Sequence, residues 1–127
     1  MTIGLWQTLR CADADAEIAW LTAIGFTEHG IYRNADDDTI VEHAQLVWPG
    51  GGGVMLGTDR EGTDWKREPG TAGTYLVTTD PDGLYATAVA AGAEGIREPV
   101  DEDYGGRGAT VRDAEGNLWS FGSYDPV

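Results

Sequence analysis

Side chains that most often carry chemistry are scarce in this chain. Of 127 residues, one is cysteine and two are histidine. The single Cys11 permits no internal disulfide and no Cys-x-x-Cys pair. It lies in an apolar strand-like run, which reads as a buried structural thiol. A nucleophile would need a base and an electropositive setting that the sequence does not offer. Basic residues are few, 8 Lys+Arg against 22 Asp+Glu, for a net charge of −14. Such a surface repels a phosphate backbone and argues against nucleic acid as a partner. It is compatible with attraction of a cationic ligand, but solubility alone is the favoured reading. Long apolar runs are missing as well. Nothing approaches the ~20 apolar residues that span a bilayer, and the start lacks the basic and apolar segments of a signal peptide. A cytoplasmic protein without a membrane partner is therefore expected. Nucleophile elbows and phosphate loops are absent too. Gly50–Gly53 lacks the Lys-Ser/Thr that would follow in a phosphate loop and leads into a strand, so it reads as a hairpin turn.

What the chain does have is an internal repeat. Asp13–Gly25 reads DADAEIAWLTAIG and Asp80–Gly92 reads DPDGLYATAVAAG. Both open on Asp, carry Asp two residues later and close on Gly after the same interval. Each follows a strand-like run, Leu5–Cys11 and Thr74–Thr79. A repeat of this kind implies one supersecondary unit used twice in one domain. Asp is a good N-cap, and Gly suits the left-handed position after a helix. Pro81, directly after Asp80, occupies the first helical position, where no amide is needed. Ile18, Leu21 and Ile24, with Trp20 beside them, form the first apolar stripe. Leu84, Ala88 and Ala91 form the second.

Strands follow each helix. Phe26–Arg33 and Thr39–Trp48 read as a hairpin through the polar Asn34–Asp38 turn, where Asp36–Asp38 are solvated. Val54–Gly57 is a short fourth strand. In the second half the strands are Gly95–Pro99, Gly108–Asp113 and Asn117–Ser123. The order is β-α-β-β-β twice, an α+β domain with module 1 at about 1–57, a connecting loop at 58–73 and module 2 at about 74–127. The loop, TDREGTDWKREPGTAG, is long for a compact domain and carries Trp65. It reads as a lid or as a plain linker. Asp101–Arg107, with Tyr104 before two glycines, is a second candidate mobile loop.

The segments TLRCADADAEIAWLTAIGF, HAQLVWPGGGGVMLG and VRDAEGNLWSFGSY, in that order, resemble the vicinal oxygen chelate superfamily, in its glyoxalase/bleomycin-resistance branch. The resemblance spans nearly the whole chain. It implies two tandem modules forming a curled mixed sheet around a cleft, commonly completed by a symmetric homodimer. Enzymes of the superfamily hold a divalent metal with His, Gln or Glu on defined strands. Carried over one at a time, those positions fall on Trp6, near Met55, on Gly73 and on Ser120. Trp, Gly and Met are not ligands for a hard metal, and Ser is a poor one. Gln7 would take the first position only if the strand slipped by one residue, which would flip its whole face. His29 and His43 do not repair the set, because Glu28 and Glu42 fall on the opposite strand faces from their neighbouring histidines. No metal and no other cofactor are expected. His29 reads as an exposed strand residue.

Five tryptophans and five tyrosines point instead to binding, since large aromatics supply contact area at low entropic cost. Strand alternation sorts them. Trp6, Thr8 and Arg10 share one face. If that face lines the cleft, Gly73, Tyr75 and Val77 match it in the second module, with Leu118 and Ser120 on the last strand. His43, Gln45 and Val47 join them, while Ala44, Leu46, Trp48, Trp119 and Phe121 pack beneath. The candidate ligand-binding residues are Trp6, Arg10, His43, Gln45, Met55, Trp65, Tyr75, Tyr104, Arg107 and Ser120, and no catalytic residue is assigned. The leading functional expectation is a metal-free binding protein of the bleomycin-resistance type. It would sequester a bulky aromatic or peptide-derived small molecule, such as a toxic natural product. The alternative is a glyoxalase-like lyase or isomerase acting on a small oxygenated metabolite through Arg10, His43 or Gln45. A sensor for a small metabolite is a third reading.

Overall fold

A computed structural model describes residues 4–127; the first three residues of module 1 lie outside the described residues. The chain runs β1 (Trp6–Cys11), α1 (Ala14–Ala23), β2 (Thr27–Arg33), β3 (Val41–Val47), β4 (Gly53–Thr58), β5 (Gly73–Val77), α2 (Pro81–Ala90), β6 (Glu94–Asp101), β7 (Arg107–Arg112) and β8 (Leu118–Gly122). Both helices begin as the repeat demands. Asp13 Oδ1 accepts the Ala16 amide at 3.1 Å, and Asp80 Oδ1 accepts that of Gly83 at 3.0 Å. Gly25 and Gly92, at φ of 121° and 119°, turn the chain out of each helix.

The strands form two four-stranded mixed sheets of identical order, β1-β4-β3-β2 and β5-β8-β7-β6, one for each of the two expected β-α-β-β-β modules. The first strand of each module pairs in parallel with the fourth, β1 with β4 and β5 with β8. The module repeat in sequence is thus a repeat in topology. Neither sheet closes.

One core serves both modules. Leu9, Cys11, Ala44, Leu46, Val54 and Leu56 turn one face of the first sheet inward, and Ile18, Trp20 and Leu21 of α1 are buried in the same cluster. Trp119 and Phe121, fully buried, do the same for the second sheet. Trp20 bridges the halves. Its Nε1 donates to the Ala88 carbonyl at 3.1 Å, and its ring lies 5.7 Å from that of Trp119. The stripe of α2 differs from expectation. Ala91, the C-cap residue, is exposed, and Ala93, beyond the Gly92 turn, enters the core. Asn34 Oδ1 accepts the Asp36 and Asp37 amides, which leaves the acidic side chains of that turn in solvent.

Cys11 is fully buried, and burial above all pushes its thiol far up, so the thiolate is disfavoured. Beside it sits an acidic cluster that ties α1 to the β7–β8 turn. Asp113 accepts the amides of Glu115, Gly116 and Asn117, the Asn117 side chain, and Trp119 Nε1 at 2.8 Å. Glu115 accepts the Ala12 and Asp13 amides at 2.7 and 2.8 Å. Glu17, 2 % exposed, faces this cluster. Burial first, then the Asp113 and Glu115 carboxylates, push its carboxyl up to about 10.

Candidate functional site

Large and small residues alternate between β1 and β4 on the face turned away from α1. Trp6 pairs with Gly53, Thr8 with Met55 and Arg10 with Gly57. Each glycine makes room for the long side chain opposite. A Cβ on Gly57 would fall 2.7 Å from Arg10 Nη1, and one on Gly53 would strike the Trp6 ring. The two long β1 side chains therefore lie flat across β4, and between them the sheet is hollow.

That hollow has a volume of about 420 Å³ and is lined by Thr8, Arg10, Glu42, His43, Met55, Trp65 and Arg67, with Leu9 and Leu56 beneath. Four of the residues singled out in the sequence meet here: Arg10, His43, Met55 and Trp65. His43 Nε2 lies 3.1 Å from Gln45 Oε1, so Gln45 stands in contact with a lining side chain. Glu42 lines the same hollow as His43, contrary to strict alternation. A β-bulge leaves Glu42 without a partner on β2, where Tyr32 pairs with His43 and Arg33 with Val41. Glu42 is held by Arg60.

The connecting loop folds back over the hollow. Asp59 takes an ion pair from Lys66 and accepts the Arg67 amide, and Arg67 donates to Thr8 Oγ1 and to the Thr8 carbonyl. Trp65 is thereby set at the rim, three-quarters exposed. Thr8 lies on the face that strand alternation gave it, whereas Glu42 and Arg67 are the polar lining residues that sequence reasoning left out of the site. The only signal for Arg67 was its place two residues after Trp65.

The remaining candidates lie elsewhere in this chain. Trp6 and Tyr75 line a second cavity of about 400 Å³ between the modules, together with Phe26, Trp48 and the Gly51–Val54 turn. Gln7 points there as well and holds the modules together, donating to the Gly73 carbonyl at 3.1 Å and Thr74 Oγ1 at 2.9 Å. Tyr75 lies over Gly122 and donates its hydroxyl to the Tyr124 carbonyl at 2.7 Å. Tyr104 packs edge-on against Tyr124. Arg107 is paired with Asp82 and Asp101, and Ser120 Oγ lies 3.0 Å from Thr110 Oγ1. His29 is exposed.

The donors at the four carried-over positions do not fit a divalent metal. An indole offers only an N–H, glycine offers nothing, a thioether is soft, and the Ser120 hydroxyl is engaged with Thr110. Among the described residues, no three His, Cys, Asp or Glu side chains converge on a point that could hold a metal ion.

None of the curated proteins matches the chain. Solved structures do. TioX from Micromonospora sp. ML1 is 27% identical, with a TM-score of 0.73 over 93% of this chain and 95% of that one. A glyoxalase/bleomycin resistance protein/dioxygenase superfamily member from Sphaerobacter thermophilus DSM 20745 is 23% identical, with a TM-score of 0.73 over 96% and 97% of the two chains. A glyoxalase/bleomycin resistance protein from Streptomyces sp. CB03234, at 17% identity and a TM-score of 0.67 over 94% and 98%, shares the fold. With the family model matching residues 5–121, across both modules and up to the closing strand, the chain belongs to the Glyoxalase/Bleomycin resistance protein/Dioxygenase superfamily.

Proposed function

We propose that this chain binds a bulky aromatic or peptide-derived small molecule without a metal, in the manner of the bleomycin-resistance proteins, and so sequesters it. A toxic natural product is the ligand class such a role implies. The observation that carries the reading is the exchange of ligand-type side chains for Trp6, Met55, Gly73 and Ser120. At the same time the first sheet keeps a hollow large enough for a ligand, with an exposed indole at its rim. Trp6, Arg10, His43, Gln45, Met55 and Trp65 are the contacts proposed from the first module. Tyr75, Tyr104, Arg107 and Ser120 are proposed from the second.

The second group does not line the hollow within one chain. The reading therefore includes a two-fold homodimer, in which the outward face of one chain's second sheet covers the hollow of the other's first sheet. Tyr75, Val77 and Leu118 on that face are about 40% exposed, which supports a covered role. No described helix is long and apolar enough to cross a membrane, which fits the cytoplasmic location proposed here. A tryptophan-fluorescence screen of aromatic natural products, run beside elemental analysis of the purified protein, tests the reading. Saturable binding by metal-free protein is expected. About one tightly bound metal per chain, with turnover lost on chelation, would replace it with the glyoxalase-like lyase.

A further inference from the structure

In a chain this acidic, every basic side chain should find a carboxylate. Among the described residues, seven of the 8 Lys+Arg do, each with an acid within ion-pair range. Arg67 does not. Among the described residues its guanidinium hydrogen-bonds only neutral acceptors, both on Thr8, and it lines the hollow of the first sheet.

Arg10, on the other side of Thr8, is also only partly engaged. Its Nη2 donates to the Thr58 carbonyl at 2.7 Å, and its Nε is buried without a hydrogen-bond partner. Its one acid, Asp59, lies 3.8 Å away and is held more closely by Lys66. The acids near the hollow are thus already taken, Glu42 by Arg60 and Asp59 by Lys66, while the positive charge that faces it is not. Net charge points the other way, toward a cationic ligand. But the acids spread over the surface are screened within a Debye length of about 8 Å. A guanidinium lining the hollow acts directly on whatever enters.

We infer that the hollow recognises a planar aromatic anion, its carboxylate taken by Arg67 and Arg10 and its ring laid against Trp65 and Met55. The inference rests on the reading of the hollow as a small-molecule site and adds the charge of the ligand. The guanidinium is a rigid planar fork that matches a carboxylate with two parallel hydrogen bonds. Trp65 offers a free indole face and Met55 an adaptable apolar floor. Arg67 is held in place by Thr8, so little side-chain freedom is lost when the anion arrives.

Three probes of one shape test this by calorimetry: 2-naphthoate, 2-naphthamide and 2-naphthylmethylammonium. The acid is expected to bind at least tenfold more tightly than the amide, with the ammonium weakest. Raising the salt concentration should weaken the acid and leave the amide unchanged. Arg67→Gln should bring the acid down to the level of the amide, and Arg67→Lys, which keeps the charge without the fork, should fall between. Since Arg67 is exposed, the variants should melt with the wild type. Equal binding of the three probes, or an acid preference untouched by Arg67→Gln in a folded variant, overturns the anionic assignment and leaves an uncharged aromatic site. Failure of all three probes to bind overturns the small-molecule reading of the hollow itself.

Discussion

Trp119 and Trp65 are the same residue type in opposite circumstances, one fully buried between the helices and a sheet, the other three-quarters exposed at the rim of the hollow. Trp119→Ala should destabilise the protein by roughly 3–5 kcal/mol, because it opens a cavity and leaves Asp113 without its indole donor. Urea unfolding checks this. Trp65→Ala should leave unfolding unchanged and weaken ligand binding by about 1–3 kcal/mol. If the melts are exchanged between the two variants, the assignment of Trp119 to the core and Trp65 to the rim is wrong. Glu17 provides a pH prediction. In the unfolded chain its carboxyl ionises near the ordinary 4.5, and in the folded chain only near 10. The folded state therefore holds one more proton between those values. The stability this contributes is complete below about pH 4.5 and is lost as pH rises through 10, at about 1.4 kcal/mol per pH unit in between. Glu17→Gln keeps a donor beside Asp113 without the titration. Its unfolding free energy should fall less steeply from pH 6 to pH 9 than that of the wild type.

At the scale of the element, β4 and the connecting loop decide the site. Gly57 lies under the Arg10 guanidinium and against the Glu42 and Val41 carbonyls. Gly57→Ala should therefore displace Arg10 and cost roughly 1–3 kcal/mol of stability, the range for overpacking, with weaker binding of an anionic probe. The connecting loop has few buried side chains and is held chiefly through Asp59, which is tied to Lys66 and to the Arg67 amide. Asp59→Asn should loosen it. Amide hydrogen exchange across residues 59–72 is expected to quicken in that variant while α1 and β8 stay protected. Unchanged exchange would mean that packing, rather than Asp59, holds the loop down.

For the whole molecule, the two outward sheet faces set the expectation. They carry exposed Tyr75, Val77 and Leu118 on one module and the hollow on the other. Sedimentation at micromolar concentration should show a dimer. Tyr75→Asp, which places a charge on the outward face while leaving the core alone, should shift it to monomer and weaken ligand binding together. A monomer in the wild type would confine the site to one chain.

Local chemistry alone determined the order of elements. Asp at each N-cap, Pro81 at the first helical position and Gly at each exit act within a few residues, so the doubled β-α-β-β-β pattern was legible without tertiary contacts. The burial of Ala44, Leu46, Trp119 and Phe121 was legible for the same reason, since alternation is a property of one strand. Departures came where a strand broke its own period or the chain folded back from a distance. The bulge at Glu42 put two neighbouring side chains on one hollow, and the C-cap residue of α2, Ala91, stayed exposed where its counterpart Ile24 is buried. Arg67 reached Thr8 across 59 residues of sequence because Asp59 and Lys66 turned the loop inward. A side chain without a carboxylate partner in so acidic a chain can be recognised only once all the others have been seen to find theirs. That depends on through-space distances, which composition and periodicity do not contain.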